Sequence, residues 1–580
     1  MPYLQLYLLR IRAITQAERT RLGIAIWLGA SLAIAILYGI WGLQETFSTD
    51  YVVASDVRQH VFWLLRYFDP ELFTNDLIAD YFESVSPAGF TAVYRSAISL
   101  GADPIWFSKI LPIPIAIGMT VYCFLLVLEL LPVPVAGFFA SVLLLQIVWL
   151  NNDVPSATPR AFLYVFFPAF LYYLLRRSPI GCAISVALLG LFYPQYVLLS
   201  ALVALVRLLD WTQPKLRLNR DPRDRVLCFT ILAVAFVVLL PFAIGSSEYG
   251  PVVTYARGQF MAVFSENGRT PIFRNDPVNF YLGPGRTGLF PRALLTPATL
   301  AVGLLLPGML LLRKYFPLGD RTRNLSLIPQ LMTAAILLYC AAHAFLFRLH
   351  LPSRYTNHSF KITVAVTAGV ALTLLLDGLA HWAIARQATK NPKNSSQIIA
   401  GGVATLLLAC LLLYPRLLID FPGSFYPRGG AVDLYQYLET LPKSIVIASL
   451  SDESDNIPTF ARRSVLASWR LLSPYHLGYY EQMHQRAIAV INAQYASNPA
   501  EVKATIAAYD IDYWLLDRQA FSPEYLSENR WFGQWPDLSA RIIREQQSKT
   551  LPVLEQLQAT CSTFESKTHV VLSARCILNQ

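Results

Sequence analysis

Asp56 and His60 stand four residues apart in the run Asp56-Val-Arg-Gln-His60, just beyond an uncharged stretch from Leu22 to Trp41. On a helix that spacing puts both side chains on one face, with roughly 5–6 Å between Cβ atoms, while Arg58 points elsewhere. A carboxylate beside an imidazole can act as a base toward a hydroxyl when geometry and pKa allow it. The same residues also read as a helix start, because aspartate caps helices well and Ser55-Asp56 precedes His60-Val-Phe-Trp-Leu-Leu. Both readings stay open.

Further acids follow. Asp76, Asp80 and Glu83 are spaced by four and three, which again defines one helical face. Such a trio either recruits a divalent cation or forms a solvated acidic face. Asp153, after two asparagines, reads as a turn residue or as a metal or sugar ligand. Asp80 and Asp153 are therefore the weak metal candidates; the cysteines have no metal-type spacing and no cofactor motif stands out.

The arginines are more informative. Arg257, Arg269, Arg274, Arg286 and Arg292 fall within or beside one long polar segment, with Gly283-Pro-Gly285 ahead of Arg286. Arg348, His350, Arg354 and His358 crowd the next one. A guanidinium donates two parallel hydrogen bonds to a phosphate, so Arg269, Arg286, His350 and Arg354 are candidate lipid-phosphate ligands. Contact with lipid headgroups is the plainer reading for any one of them.

What must position these residues is a membrane domain. Apolar residues make up 55% of 580 positions, charged residues only 14%, and the mean hydropathy is +0.43. A soluble chain carries about 25% charged residues. Leu22 to Trp41 is long enough to cross a bilayer, since twenty residues at ~1.5 Å cover the ~30 Å hydrocarbon core. It reads as a retained first span rather than a cleaved signal. Counting it, spans are expected near 22–43, 105–130, 133–150, 160–176, 226–245, 293–312, 326–348, 361–384 and 398–419.

Ile180 to Leu209 is apolar for nearly thirty residues, yet both flanks are basic. Two short helices broken at Tyr193-Pro194-Gln195 resolve this, because proline removes a backbone donor and clashes with the preceding turn. Counting that pair gives about eleven spans. The formal charge of +10 sits in short loops: Arg10 to Arg21, Arg176-Arg177, Lys215 to Arg225, Arg313 to Arg323 and Arg386 to Lys393. That placement marks a cytoplasmic face rather than a nucleic-acid surface. With the N-terminus inside, the segments 44–104, 245–292 and everything after Leu418 are expected outside, together with Asn151 to Asp153 and the loop Arg348 to Lys361.

Two domains follow: residues 1–419 in the membrane and an extracytoplasmic α/β domain over 420–580. In the latter, Ser444 to Ser449, Ile511 to Leu516 and Thr568 to Leu572 read as strands, and Tyr480 to Tyr495 and Pro499 to Tyr509 as helices. It reads as a lid or a docking surface. Cys561 and Cys576, its only cysteines, can be bridged in an oxidising compartment. Cys123, Cys182, Cys228, Cys340 and Cys410 fall in apolar spans and read as small buried hydrophobes.

The layout resembles the GT-C superfamily of membrane glycosyltransferases, in many spans, an acid in the first large outer loop, broken short helices midway and a C-terminal outer domain. Asp56 stands at the family's catalytic acid; Val57 replaces the usual acidic neighbour, and Asn151-Asn152-Asp153 is a degenerate second acidic motif. The resemblance implies an inverting sugar transfer from a polyprenyl-phosphate donor to an unknown acceptor, with Asp56, tuned by His60, as base. Arg286 and Arg354 would hold the departing phosphate, and membrane lipids surround the spans. A lipid or polysaccharide transporter and a non-catalytic assembly protein remain alternatives.

Overall fold

The computed structural model describes residues 2–209, 218–219, 221–387, 394–418, 421, 426–546 and 551–580. Lys215, Arg217 and Arg220 of the third basic loop, Lys390 and Lys393 of the fifth, and Asp420, where soluble composition begins, lie outside the described residues.

This is a polytopic helical membrane protein with a small C-terminal sheet. Six helices are long and apolar enough to cross a membrane: Arg21–Thr46, Pro104–Leu130, Pro222–Ile244, Leu327–Ala344, Ser353–Gln387 and Ser395–Leu417. Five shorter apolar helices are Pro134–Leu150, Pro159–Leu175, Pro179–Phe192, Gln195–Arg207 and Ala298–Leu311. Each apolar stretch of the sequence thus appears as a helix. Pro104, Pro112, Pro134, Pro159, Pro179 and Pro222 each open a helix of this domain. There the missing N–H costs nothing and the fixed φ suits the first turn.

Two boundaries differ from the sequence reading. The helix expected over 361–384 begins at Ser353, so Arg354, His358 and Lys361 sit on its first turns rather than in a loop. The stretch 293–312 becomes helical only after Pro297 and runs as a 3-10 helix to Leu305. An additional helix, Pro2–Thr15, packs on the two helices Ser353–Gln387 and Asn394–Leu417. Cys123, Cys182 and Cys228 are buried as expected, but Cys340 is exposed on its helix and Cys410 is half-buried.

Ser353–Gln387 is the spine, packed against Pro134–Leu150, Leu327–Ala344 and Ala298–Leu311. Backbones approach closely there: a Cβ at Gly369 would lie 2.5 Å from the Ala140 Cβ. Small residues at such crossings let membrane helices gain dispersion contact where no hydrophobic force exists between them.

The basic loops gather at one end of the bundle. Arg19 pairs with Glu129 at 3.0 Å, Arg177 with Asp221 at 2.7 Å, and Arg321 donates to the Gln16 carbonyl at 3.0 Å. The Arg323 N–H reaches the Leu130 carbonyl at 2.7 Å. The helices Pro134–Leu150 and Pro159–Leu175 run between that end and the loop holding Asp153, so Asp153 and Arg160 mark the opposite end.

The C-terminal region carries a five-stranded sheet of order β2-β1-β3-β5-β4, from β1 (Val446–Ser449), β2 (Ser464–Val465), β3 (Tyr513–Asp517), β4 (Ser562–Glu565) and β5 (His569–Ser573). β1 is parallel to β2 and β3; β5 is antiparallel to β3 and β4. Helices Leu477–Tyr495 and Pro499–Tyr509 connect β2 to β3. Cys561 and Cys576 are bridged, with Cα atoms 5.5 Å apart, and tie the start of β4 to the helix after β5.

Candidate active site

A cavity of about 470 Å³ lies at the bundle end opposite the basic loops. Asp56, His60, Arg269, Arg286, His350 and Arg354, six residues drawn from three separate sequence segments, all line it. Arg160, Tyr193, Gln195, Tyr81 and the segment Leu472 to His476 also line it. Asp80 is not among its lining residues.

Asp56 and His60 share a short turn, Val57–His60. Asp56 makes no side-chain cap bond there, so the capping reading does not hold. Its carboxylate instead accepts from Arg160 Nη2. Arg58 leaves the cavity and donates to Asn456 of the C-terminal region. The other acids resolve differently. Asp76 caps the helix Leu77–Ser84, accepting from the N–H groups of Ile78 and Ala79. Asp80 and Glu83 share the guanidinium of Arg66 at 2.7 and 2.8 Å. The trio therefore divides into a cap, Asp76, and two carboxylates that share one guanidinium.

Asp153 is buried, and both its oxygens face donors. Oδ2 accepts from Lys361 Nζ and from the Tyr164 hydroxyl, each at 2.7 Å. Oδ1 lies 3.8 Å from Arg160 Nε and 3.8 Å from His358 Nδ1. Arg160 also donates to the Asn152 carbonyl at 2.8 Å. A chain of alternating charge thus runs Lys361, Asp153, Arg160, Asp56. Arg160 follows the proline that starts its helix, where the positive end of the helix dipole disfavours a cation. The two carboxylates offset that. Sequence reading missed Arg160 because nothing within a turn of it is acidic.

Backbone bonds hold the Arg286 loop and the Arg269 side chain. Ser353 donates through its N–H at 3.3 Å and its hydroxyl at 2.8 Å to the Arg286 carbonyl, docking that loop on the start of the helix carrying Arg354. Arg354 Nε has no hydrogen-bond partner among the described residues. Arg269 is more committed: it donates to the carbonyls of Trp469 at 2.9 Å and Arg470 at 2.8 Å. These bonds tie Arg269 to the C-terminal region, and its charge adds to the positive field of the wall. Phe347 and His350 both take left-handed backbone, φ 72° and 62°, a strained state typical of functional loops.

Broken backbone reaches the same cavity. The helices Pro179–Phe192 and Gln195–Arg207 meet at Tyr193-Pro194, and Tyr193 and Gln195 line the wall. Freed backbone at membrane depth survives where protein or a cavity covers it. From the other side, Tyr475 and His476 are fastened by the Val253 N–H to the Tyr475 carbonyl at 2.9 Å. The Tyr81 ring stacks on Tyr479 at 3.7 Å and its hydroxyl lies 3.1 Å from His476 Nδ1.

Electrostatics favour an anion. Burial alone would raise the Asp56 pKa, but Arg160, His60, Arg470 and Arg354 hold it below the ordinary carboxylate value. Burial, opposed by Asp56 and reinforced by Arg160 and Arg354, lowers His60 to about 4. Burial with Arg354 and Arg286 lowers His350 to about 3. Burial with Arg286 and Arg470 lowers Arg269 to about 10, still charged at neutral pH. The wall therefore carries four guanidinium groups against one carboxylate, with His60 and His350 neutral at pH 7.

No protein-family model and no curated protein matches the sequence. Among solved structures, the archaeal oligosaccharyltransferase AglB from Archaeoglobus fulgidus, in complex with an inhibitory peptide and a dolichol-phosphate, aligns with 88% of this chain and 72% of its own, at 12% identity and a TM-score of 0.52. ArnT from Cupriavidus metallidurans, bound to undecaprenyl phosphate, aligns with 95% of this chain and 98% of its own, at 12% identity and a TM-score of 0.45. The chain has the GT-C fold.

Proposed function

We propose that this GT-C-fold chain is a membrane glycosyltransferase that moves a sugar from a polyprenyl-phosphate donor to an acceptor hydroxyl on the extracytoplasmic face, with inversion. The observation that carries the reading is the convergence of one carboxylate, Asp56, with Arg286 and Arg354 in a cavity opposite the basic loops. Nucleotide sugars are cytosolic, so a site on the far face calls for a lipid-delivered sugar. Shared fold with AglB, whose structure holds a dolichol-phosphate, supports the same donor class. The positive-inside trend and the bridged Cys561–Cys576 support an outer location for the C-terminal region.

The geometry suits a direct displacement. The acceptor oxygen attacks the anomeric carbon as the carbon–oxygen bond to the lipid phosphate breaks, and that phosphate leaves with the electron pair. The attacking hydroxyl becomes strongly acidic as its new bond forms, so an ionised Asp56 takes the proton even with a lowered pKa. His60, neutral at pH 7, adds a hydrogen-bonding ring beside Asp56 without adding charge. Arg286 and Arg354 offset the second negative charge that appears on the phosphate, in a cavity that screens poorly. His350 offers a neutral hydrogen bond next to them.

The test is transfer of labelled sugar from a polyprenyl-phosphate-sugar into acceptor lipid or peptide pools in proteoliposomes. Asp56→Asn should lower the rate by at least ~10². Full transfer by that variant would remove Asp56 from the chemistry.

A further inference from the structure

A divalent cation held jointly by Asp56, on the cavity wall, and Asp153, buried behind Arg160, is the arrangement that two acids from separate loops would suggest. The residues present do not fit one. Arg160 lies between the two acids, with Nη2 on Asp56 and Nε 3.8 Å from Asp153. The remaining oxygen of Asp153 is taken by Lys361 and Tyr164 at 2.7 Å each. A metal ion ligated by Asp153 would sit within a few ångströms of an ammonium and a guanidinium. Magnesium and calcium ask for six or more oxygen ligands at ~2.0–2.6 Å. Among the described residues no three His, Cys, Asp or Glu side chains group into such a set.

Charge bookkeeping agrees. Asp56 and Asp153 are balanced by Arg160 and Lys361, so the buried quartet is neutral as it stands. Two further positive charges in a poorly screening interior would be strongly repelled. Asp153 and Lys361 are also almost fully enclosed, at 2% exposure each, which leaves no room for the waters a magnesium ion keeps.

The geometry points to Arg160 as a resident cation that takes the place of a divalent metal between the acids of the two loops, with Lys361 neutralising the far side of Asp153. Arg160 then orients one Asp56 oxygen and leaves the other to face the cavity. The proposal concerns cation binding only, so it stands or falls separately from sugar transfer.

Mn²⁺ binding to the full-length protein in lipid nanodiscs, read by electron paramagnetic resonance without any sugar substrate, tests it. Wild type should show no site that Asp56→Asn or Asp153→Asn removes. Arg160→Ala should bind Mn²⁺ at least about tenfold more tightly than wild type, because it unveils two close carboxylates. Arg160→Lys, which keeps the charge, should behave like wild type. A wild-type Mn²⁺ site abolished by Asp56→Asn overturns the proposal, and so does a folded Arg160→Ala that binds no better than wild type. If Arg160→Ala does not fold, the wild-type comparison decides alone.

Discussion

The Arg286 guanidinium donates to the Tyr475 hydroxyl at 3.4 Å, joining side chains 189 residues apart across the cavity. Arg286 belongs to a loop docked on a membrane helix, and Tyr475 to the C-terminal region. The contact is supported by backbone pairing, in which Leu477 N–H meets the Pro251 carbonyl at 3.0 Å and Gly478 N–H meets the Tyr249 carbonyl at 2.7 Å. The C-terminal region is thus part of the cavity wall.

Arg286→Ala and Arg354→Ala should each lower kcat for sugar transfer by ~10²–10³, the usual cost of removing one donor to developing charge. Tyr475→Phe removes only a long hydrogen bond, worth about 1 kcal/mol, and should cost less than ~10-fold. Steady-state kinetics on the three variants checks the ranking; equal losses would refute it.

Lys361→Met should destabilise by about 3–5 kcal/mol, because it leaves the Asp153 carboxylate buried beside an apolar side chain. Asp153→Asn combined with Lys361→Met should recover part of that loss. Thermal unfolding in detergent gives the comparison. A single variant as stable as wild type would show that the pair contributes nothing.

Stability should decline as pH falls from about 6.5 toward 4. His60, lowered to about 4, and His350, lowered to about 3, are neutral when folded, whereas unfolded histidine takes up a proton near 6.5. The unfolded chain then binds more protons, so stability drops as pH falls through that window. Asp56 works below it: its folded pKa is lowered, so its contribution is present above the ordinary carboxylate range and lost only at stronger acid. Melting curves of wild type, His60→Gln and His350→Gln between pH 7 and 4 should show a shallower slope for each variant.

The Cys561–Cys576 bridge spans 15 residues, a loop length at which closure stabilises by about 3 kcal/mol. Cys561→Ser with Cys576→Ser should melt lower, and the unreduced native protein should resist alkylation at both positions. Free thiols at both in protein taken from cells would contradict an oxidising location.

A cysteine placed at exposed Glu501 should react with a membrane-impermeant maleimide in whole cells, whereas one at exposed Lys314 should react only after lysis. The reverse pattern would put the cavity on the cytosolic side and end the lipid-donor reading.

Composition and period determined the apolar helices, the break at Tyr193-Pro194 and three of the five strands, because those depend on neighbours within a few residues. The short edge strands β2 and β4 carry little such signal and escaped notice. Arginines in polar segments also stood out locally, and the structure gathers three of them with Asp56. What only the tertiary structure decided is which charge neutralises which. Spacing leaves Asp80 available as a ligand, whereas in the structure Arg66, fourteen residues earlier, holds it. Spacing leaves Asp56 a lone acid, whereas the fold pairs it with Arg160, 104 residues away. Ion pairing acts through space in a poorly screening interior, and such partners leave no trace in local sequence spacing.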